Sequence, residues 1–291
     1  MININYLKCI KEVVVLYITM MQVTERPVDS DPPPPAPPAP PSSPASLDSP
    51  ATPVSLEETP IVKKCVVIAL PGDNFSSAFL MSLLSTMNAL MDVNKYKLII
   101  SPGVSNYVPF ARMQTLGLGV LRGAEQKPFD GQEYDYWITI DSDQVFSPVQ
   151  IIDLIDSLET HPVVAGCYRM SNLTHYPVVE NWDTEYFKKN GTYEFMGVDK
   201  LEAWKKDNEG ENFLKVAYSG MGFFGVRKEV LDAMKYPYFD SEKTTIEGND
   251  GVVLHDIMSE DVAFCKNIQK AGFDIMLKAT LRVGHEKSIV L

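Results

Sequence analysis

Cysteine is scarce and scattered in this chain of 291 residues. Cys9, Cys65, Cys167 and Cys265 form no C-x-x-C pair, so neither a disulfide framework nor a zinc site is written here. Cys65 and Cys167 sit in apolar strand-like runs and Cys265 in a helical pattern. They read as small buried apolar residues, which suits a reducing, cytoplasmic setting. A long apolar run is also missing. Val13–Met21 follows Lys8 and Lys11 but is too short to span a bilayer, and no clear small-x-small cleavage site follows it. The alternative to a cytoplasmic protein is one targeted to, or anchored at, a membrane through that segment. Basic charge is short as well. The net charge is −12, of which residues 1–60 carry −4 and the remainder −8. A protein that tracks nucleic-acid phosphates normally shows a basic stripe, so the composition argues against that partner. A small phosphorylated ligand stays open, because a metal ion can carry the positive charge.

Proline is abundant in one place. Residues 31–60 are dominated by Pro, Ala and Ser, including Pro32-Pro33-Pro34-Pro35. Such a stretch cannot bury a core and reads as an extended, semi-rigid linker. The chain therefore divides into an N-terminal segment over 1–30, a Pro-rich linker over 31–60, and residues 61–291, long enough for one sizeable α/β domain. Asn74, Asn172 and Asn190 head formal glycosylation sequons, which matter only in a secretory lumen.

Within 61–291, strand and helix patterns alternate. Val62–Leu70 reads as a buried strand broken by Pro71-Gly72-Asp73-Asn74. Phe79, Leu80, Leu83, Leu84, Met87, Leu90 and Met91 recur at helical spacing. Lys97–Ser101 is a second strand ended by Pro102-Gly103, and Tyr107–Leu116 a helix. Ser147-Pro148-Val149-Gln150 is a helix start, with a cap, proline at the first position and a glutamine able to reach back. Val163–Cys167 is the next strand. This order predicts a largely parallel sheet covered on both faces. From Met170 to Lys215 the pattern loosens into what reads as short strands and loops over one end of the sheet. Its aromatics suit ordinary packing or a sugar-stacking surface. Val216–Gly225 carries three glycines, which suits a loop close to a ligand or a β-bulge; no Gly-Lys-Ser/Thr follows, so it is not a P-loop. Ser259-Glu260-Asp261 opens a late helix that Gly272 ends.

The most informative stretch is Tyr134–Asp143. Its apolar run suits a strand buried on both faces, and Asp141 and Asp143 emerge at its carboxyl end. In open α/β sheets that end is where ligands bind. Side-by-side carboxylates repel and call for a cation, and Mg²⁺ or Mn²⁺, which take oxygen ligands, also hold a diphosphate. A solvated acidic turn is the plainer reading of the same residues.

Taken in order, these pieces resemble the GT-A glycosyltransferases, particularly family-2-like enzymes. The resemblance covers most of residues 62–288. It rests on the strand ending in Leu70-Pro71, on Ala111-Arg112-Met113, on Tyr134–Asp143, on Gly220–Arg227, on Ser259-Glu260-Asp261 and on His285. The Pro-rich segment before a compact domain is similar to glycosyltransferases of large algal DNA viruses. The resemblance implies a GT-A, Rossmann-like α/β fold and a metal-dependent transferase that moves a sugar from a nucleotide-sugar, by default UDP-linked, to an acceptor hydroxyl on a glycan or glycoprotein. It implies Mn²⁺ or Mg²⁺ on Asp143, with Asp141 on the ribose or the metal and His285 completing the metal site. It implies Asp261 as the base of an inverting reaction, with Glu260 as the neighbouring alternative, since a sugar hydroxyl is a poor nucleophile until a carboxylate takes its proton. Arg112 would approach the nucleotide or diphosphate, Pro71 and Asp73 would lie by the nucleotide, and Trp182 and the Gly220–Phe223 loop by the acceptor. The family more usually has Arg-Asn where this chain has Arg112-Met113. Two other functions fit the same architecture. A sugar-phosphate nucleotidylyltransferase normally has a basic glycine-rich loop after the first strand, and Pro71–Phe75 has no Arg or Lys. A non-catalytic carbohydrate-binding protein would have no use for the acidic trio Asp141, Asp143 and Asp261.

Overall fold

A computed structural model describes residues 63–248 and 250–287. The N-terminal segment, the Pro-rich linker and the Val13–Met21 run expected from the sequence lie outside the described residues. The first strand, β1 (Lys64–Pro71), is followed by α1 (Ser77–Val93), β2 (Tyr96–Gly103) and α2 (Val108–Gln114). Then come β3 (Tyr136–Ile140), β4 (Gln144–Val145), α3 (Pro148–Leu158), β5 (Val163–Cys167) and β6 (Val178–Val179). The middle of the chain forms α4 (Thr184–Asn190), α5 (Val198–Asp207), β7 (Phe213–Val216), β8 (Tyr218–Ser219), β9 (Phe223–Arg227) and α6 (Lys228–Ala233). Last are β10 (Lys243–Glu247), β11 (Val253–Ile257), α7 (Glu260–Lys270), β12 (Ile275–Arg282) and β13 (Gly284–His285).

Seven strands form one sheet in the order β2-β1-β3-β9-β5-β12-β7. β1 pairs parallel with β2 and β3, and β12 parallel with β5; β9 runs antiparallel between β3 and β5, and β7 antiparallel on the far edge. Five strands therefore share one direction, which is the mostly parallel α/β sheet the alternating pattern calls for. The continuous apolar runs exist because both faces are covered. Val66, Ile68 and Leu70 of β1 pack with Phe79 and Leu90 of α1 and Ile151 and Leu154 of α3. Cys65, Val67 and Ala69, pointing the other way, join Met113 of α2 and Phe264 of α7. The period-2 alternation of one strand thus feeds two cores.

Several local expectations hold and several are corrected. The helix over 148–158 opens as read: Ser147 N–H donates to Gln150 Oε1 at 2.8 Å. β2 runs on through Pro102 to Gly103, where the sequence suggests a stop; the strand lies at the sheet edge, where a missing N–H is tolerated. The 170–215 stretch holds the helices α4 and α5, not only strands and loops. In α1 the inward face is Phe79, Ser82, Thr86 and Leu90, while Leu80, Leu84 and Met91 are exposed. Cys65, Cys167 and Cys265 are free and buried, as expected. Among the described residues no helix is long and apolar enough to cross a membrane.

Candidate active site

Strand order reverses around β1: the chain steps outward to β2 and then returns to the other side of β1 as β3. In open α/β sheets ligands settle outside the carboxyl ends of the strands at such a switch. The two turns that leave β1 and β3 meet there. Gly72, at φ +123°, lies so close to the acidic turn that a Cβ on it would sit 3.6 Å from Ser142 Oγ. Pro71 is buried beneath this junction. Asp73 is exposed, and among the described residues its carboxylate is met only by Asn74, whose Nδ2 donates to it at 2.8 Å.

Asp141 and Asp143 turn to different partners. Asp141 faces Arg112 of α2, which is 4% exposed. The guanidinium lies 3.0 Å from Asp141 Oδ1 through one nitrogen and 3.3 Å from Oδ2 through another, and its Nε is 3.4 Å from Glu260 Oε1. One buried cation therefore joins the end of β3 to the start of α7. Burial opposes the charge on Arg112, but Asp141, Glu260 and Asp261 outweigh it and hold the guanidinium firmly protonated. Glu260 is pushed the other way: burial and the neighbouring Asp261 raise its carboxyl above the ordinary value, against the pull of Arg112.

Asp143 meets His285, 142 residues away. The two-residue strands β4 and β13 make this contact by pairing Gly284 with Val145 and His285 with Gln144. His285 Nε2 lies 3.0 Å from Asp143 Oδ2, and Lys287 Nζ donates to the same oxygen at 2.6 Å. Despite burial, these two hydrogen bonds hold the Asp143 carboxyl well below the usual range. The bond to Asp143 raises the imidazole, against its own burial.

The other face of His285 settles what it offers. Nδ1 is 2.6 Å from the carbonyl of Arg169, so Nδ1 carries the proton and donates it. That leaves Nε2 and a carboxylate oxygen face to face, an arrangement that needs a proton or a cation. The Oε1 of Gln144, buried next door, has no hydrogen-bond partner among the described residues. Asp143 and His285 thus suit a divalent ion as donors. Asp141, the third expected ligand, is turned onto Arg112 instead, and among the described residues no group of three or more His, Cys, Asp or Glu side chains is arranged to hold a metal ion.

Asp261, partly buried, opens α7 with both oxygens engaged. Tyr218 donates its hydroxyl to Oδ2 at 2.8 Å, Val262 N–H donates to Oδ1 at 2.9 Å, and Ser259 Oγ donates to Oδ1 as well. Ser259, expected to cap the helix, spends its hydroxyl on Asp261. Burial and the Asp261 charge keep the Tyr218 phenol protonated far above its ordinary range.

Between the two acidic halves stands Tyr168, which sequence reasoning missed. Its ring meets His285 edge-on at 5.0 Å, and its hydroxyl accepts Gly222 N–H at 3.1 Å. Burial raises the phenol, and the charges of Asp141 and Asp261 raise it further, so both acids lie within its electrostatic reach. Gly220 and Gly222 exist for this ring: a Cβ on either would fall 2.3 Å from its hydroxyl or 2.8 Å from its Cζ. Gly220 and Gly222 therefore admit a tyrosine, while Gly225 admits Leu158 and Leu154. Tyr168 was findable, since it follows β5 directly and so leaves the same sheet edge as Asp141. Trp182 donates its indole N–H to Gln269 at 3.1 Å and packs against Tyr193 and Tyr218, as an ordinary packed residue does.

No family model matches the chain, and no curated protein matches it. Solved structures are similar to it at low identity. The crystal structure of A197 from STIV is 17% identical at a TM-score of 0.42, over 78% of this chain and 87% of that one. GalNAc-T7, crystallised with UDP, GalNAc and Mn²⁺, is 10% identical at a TM-score of 0.47, over 79% of this chain and 44% of that one. Glucosyl-3-phosphoglycerate synthase from Mycobacterium tuberculosis, in complex with Mn²⁺, UDP and phosphoglyceric acid, is 15% identical at a TM-score of 0.37, over 78% and 72%. At such identities and scores the likeness assigns no activity to this chain.

Proposed function

We propose that this chain is a metal-dependent, inverting glycosyltransferase of the GT-A type that moves a sugar from a UDP-linked donor to an acceptor hydroxyl. The observation that carries the reading is the convergence at one sheet edge of residues from distant parts of the chain. Asp141, Asp143 and Tyr168 leave co-directional strands, His285 follows a third, and Arg112, Glu260 and Asp261 come from flanking helices. Asp143 and His285 would hold Mn²⁺ or Mg²⁺, which when bound supplies positive charge to a diphosphate.

The chain's own residues divide the remaining work. Arg112 fixes Asp141 at the mouth of the β1–β3 junction, where the ribose of the donor would lie over Pro71. Lys287 adds a second positive charge beside Asp143. Asp261 takes the proton of the acceptor hydroxyl. Tyr218 and Ser259 hold its carboxylate in place and keep it from turning toward Arg112, which Glu260 already occupies. Of the two acids considered as base, Glu260 is the one that neutralises the buried guanidinium, and Asp261 accepts only uncharged donors among the described residues.

A thermal-shift panel of nucleotide-sugars with and without Mn²⁺ tests the reading. A ligand that binds only the folded state at a hundred times its Kd adds about 2.7 kcal/mol of stability. The expected outcome is stabilisation by a UDP-sugar that depends on Mn²⁺ and is lost in Asp143→Ala. Asp261→Asn should keep that binding and lose about 10²–10⁴-fold in turnover, measured as UDP release. Unchanged turnover in Asp261→Asn would remove its role as base. Binding indifferent to both Mn²⁺ and Asp143 would remove the metal.

A further inference from the structure

Beside the Asp143–His285 contact lies a cavity of about 530 Å³. Its lining includes apolar side chains, Met170, Leu173, Tyr176 and Val283, of which Leu173 is 66% exposed. It also carries Arg169, Arg282 and Lys287, and no carboxylate lines the cavity. In a chain with a net charge of −12, a cavity with three cations and no lining acid runs against the background.

Two of these cations have unused donors. Lys287 is held by Asp143. Arg282 reaches Glu202 with one terminal nitrogen and lies 5.9 Å over the Tyr176 ring, but its Nε–H is buried and meets no acceptor among the described residues. Arg169 uses only its backbone carbonyl, which accepts from His285; among the described residues no hydrogen bond or ion pair engages its guanidinium. A guanidinium offers a planar fork of donors that matches two oxygens of a carboxylate or phosphate, and a buried donor left unmatched is costly.

We propose that this cavity binds the acceptor, and that the acceptor is an amphiphile with an anionic group: an oxyanion gripped by Arg169 and Arg282 and an apolar portion laid on Leu173, Met170 and Tyr176. The acceptor role rests on the glycosyl-transfer reading, because the cavity shares His285 with that site. The oxyanion site stands without it.

Calorimetric titration of the full chain in EDTA, with phenyl phosphate, benzoate and inorganic phosphate as probes, tests this. The expected result is saturable binding of phenyl phosphate or benzoate, the tighter of the two naming the oxyanion. Inorganic phosphate should bind more weakly because it leaves the apolar lining uncovered. Arg169→Glu, at an exposed position, should weaken the aromatic probe at least about tenfold, the effect of one charge-assisted hydrogen bond, with an unchanged melting midpoint. Absence of binding, equal binding by wild type and Arg169→Glu, or displacement of the probe by UDP with Mn²⁺ would each overturn the site. If the probe binds as described but no UDP-sugar ever does, the oxyanion site survives and its identification with an acceptor falls.

Discussion

Arg112 shows how one side chain assigns roles to its neighbours. A buried guanidinium requires counter-charge, and it draws Asp141 and Glu260 to itself from opposite sides. Replacing it with methionine leaves those two carboxylates facing the same space. The expected cost is about 2 kcal/mol, read from urea denaturation, with the discount that Asp141 is partly exposed. Adding Glu260→Gln to Arg112→Met should recover part of it, since the repulsion goes with the second charge. No recovery would mean that the two acids do not share that space. The sequence names Arg112, Asp141, Glu260 and Asp261 but not their pairing. Ser259-Glu260-Asp261 sets two neighbouring acids in a first helical turn, and only the packing of α7 turns one toward Arg112 and the other toward Tyr218. Asp143 and His285 were legible as residue types in the right order, whereas Lys287 was not, because nothing in its spacing distinguishes it from a solvated lysine.

Among the elements, β9 is one that the sequence conceals. β1, β3, β5 and α3 were readable because each is a local signal: a run of consecutive apolar residues or a capped 3.6-residue period. The direction of β9 is not local. It enters between β3 and β5 against their sense, and its leading turn sets Gly222 where Asp141 N–H donates to the Gly222 carbonyl at 3.0 Å. The turn thus fixes the acidic strand end and the Tyr168 ring together. Gly222→Ala would drive a methyl to within 2.9 Å of Gln144 Nε2 as well as into the ring. A loss of about 1–3 kcal/mol is expected from such overpacking, seen as a lowered denaturation midpoint. Because Tyr168 meets His285, UDP–Mn²⁺ affinity should fall with it. Full affinity in a destabilised Gly222→Ala would show that the ring does not set the position of His285. The helices α4 and α5 escaped because each buries a single side chain, Phe187 in one and Leu201 in the other, too little to write a regular apolar stripe.

At the scale of the whole molecule, the site is held by contacts between residues far apart in the chain. Arg112 reaches Glu260 across 148 positions, and Asp143 reaches His285 across 142. The sequence can list such residues, but which of them meet is a property of strand order. The β4–β13 ladder that closes the second of these contacts has only two residues on each strand. So short a ladder cannot offset the entropy of joining distant segments until the sheet between them already stands. Competence to bind nucleotide should therefore appear in the last phase of refolding, after far-ultraviolet dichroism has reached its native value, when the two signals are followed by stopped flow. Simultaneous recovery would mean that the two ends find each other early. On this view ligand capture reports that the entire chain has arrived, and a partly folded molecule has no means of sequestering substrate.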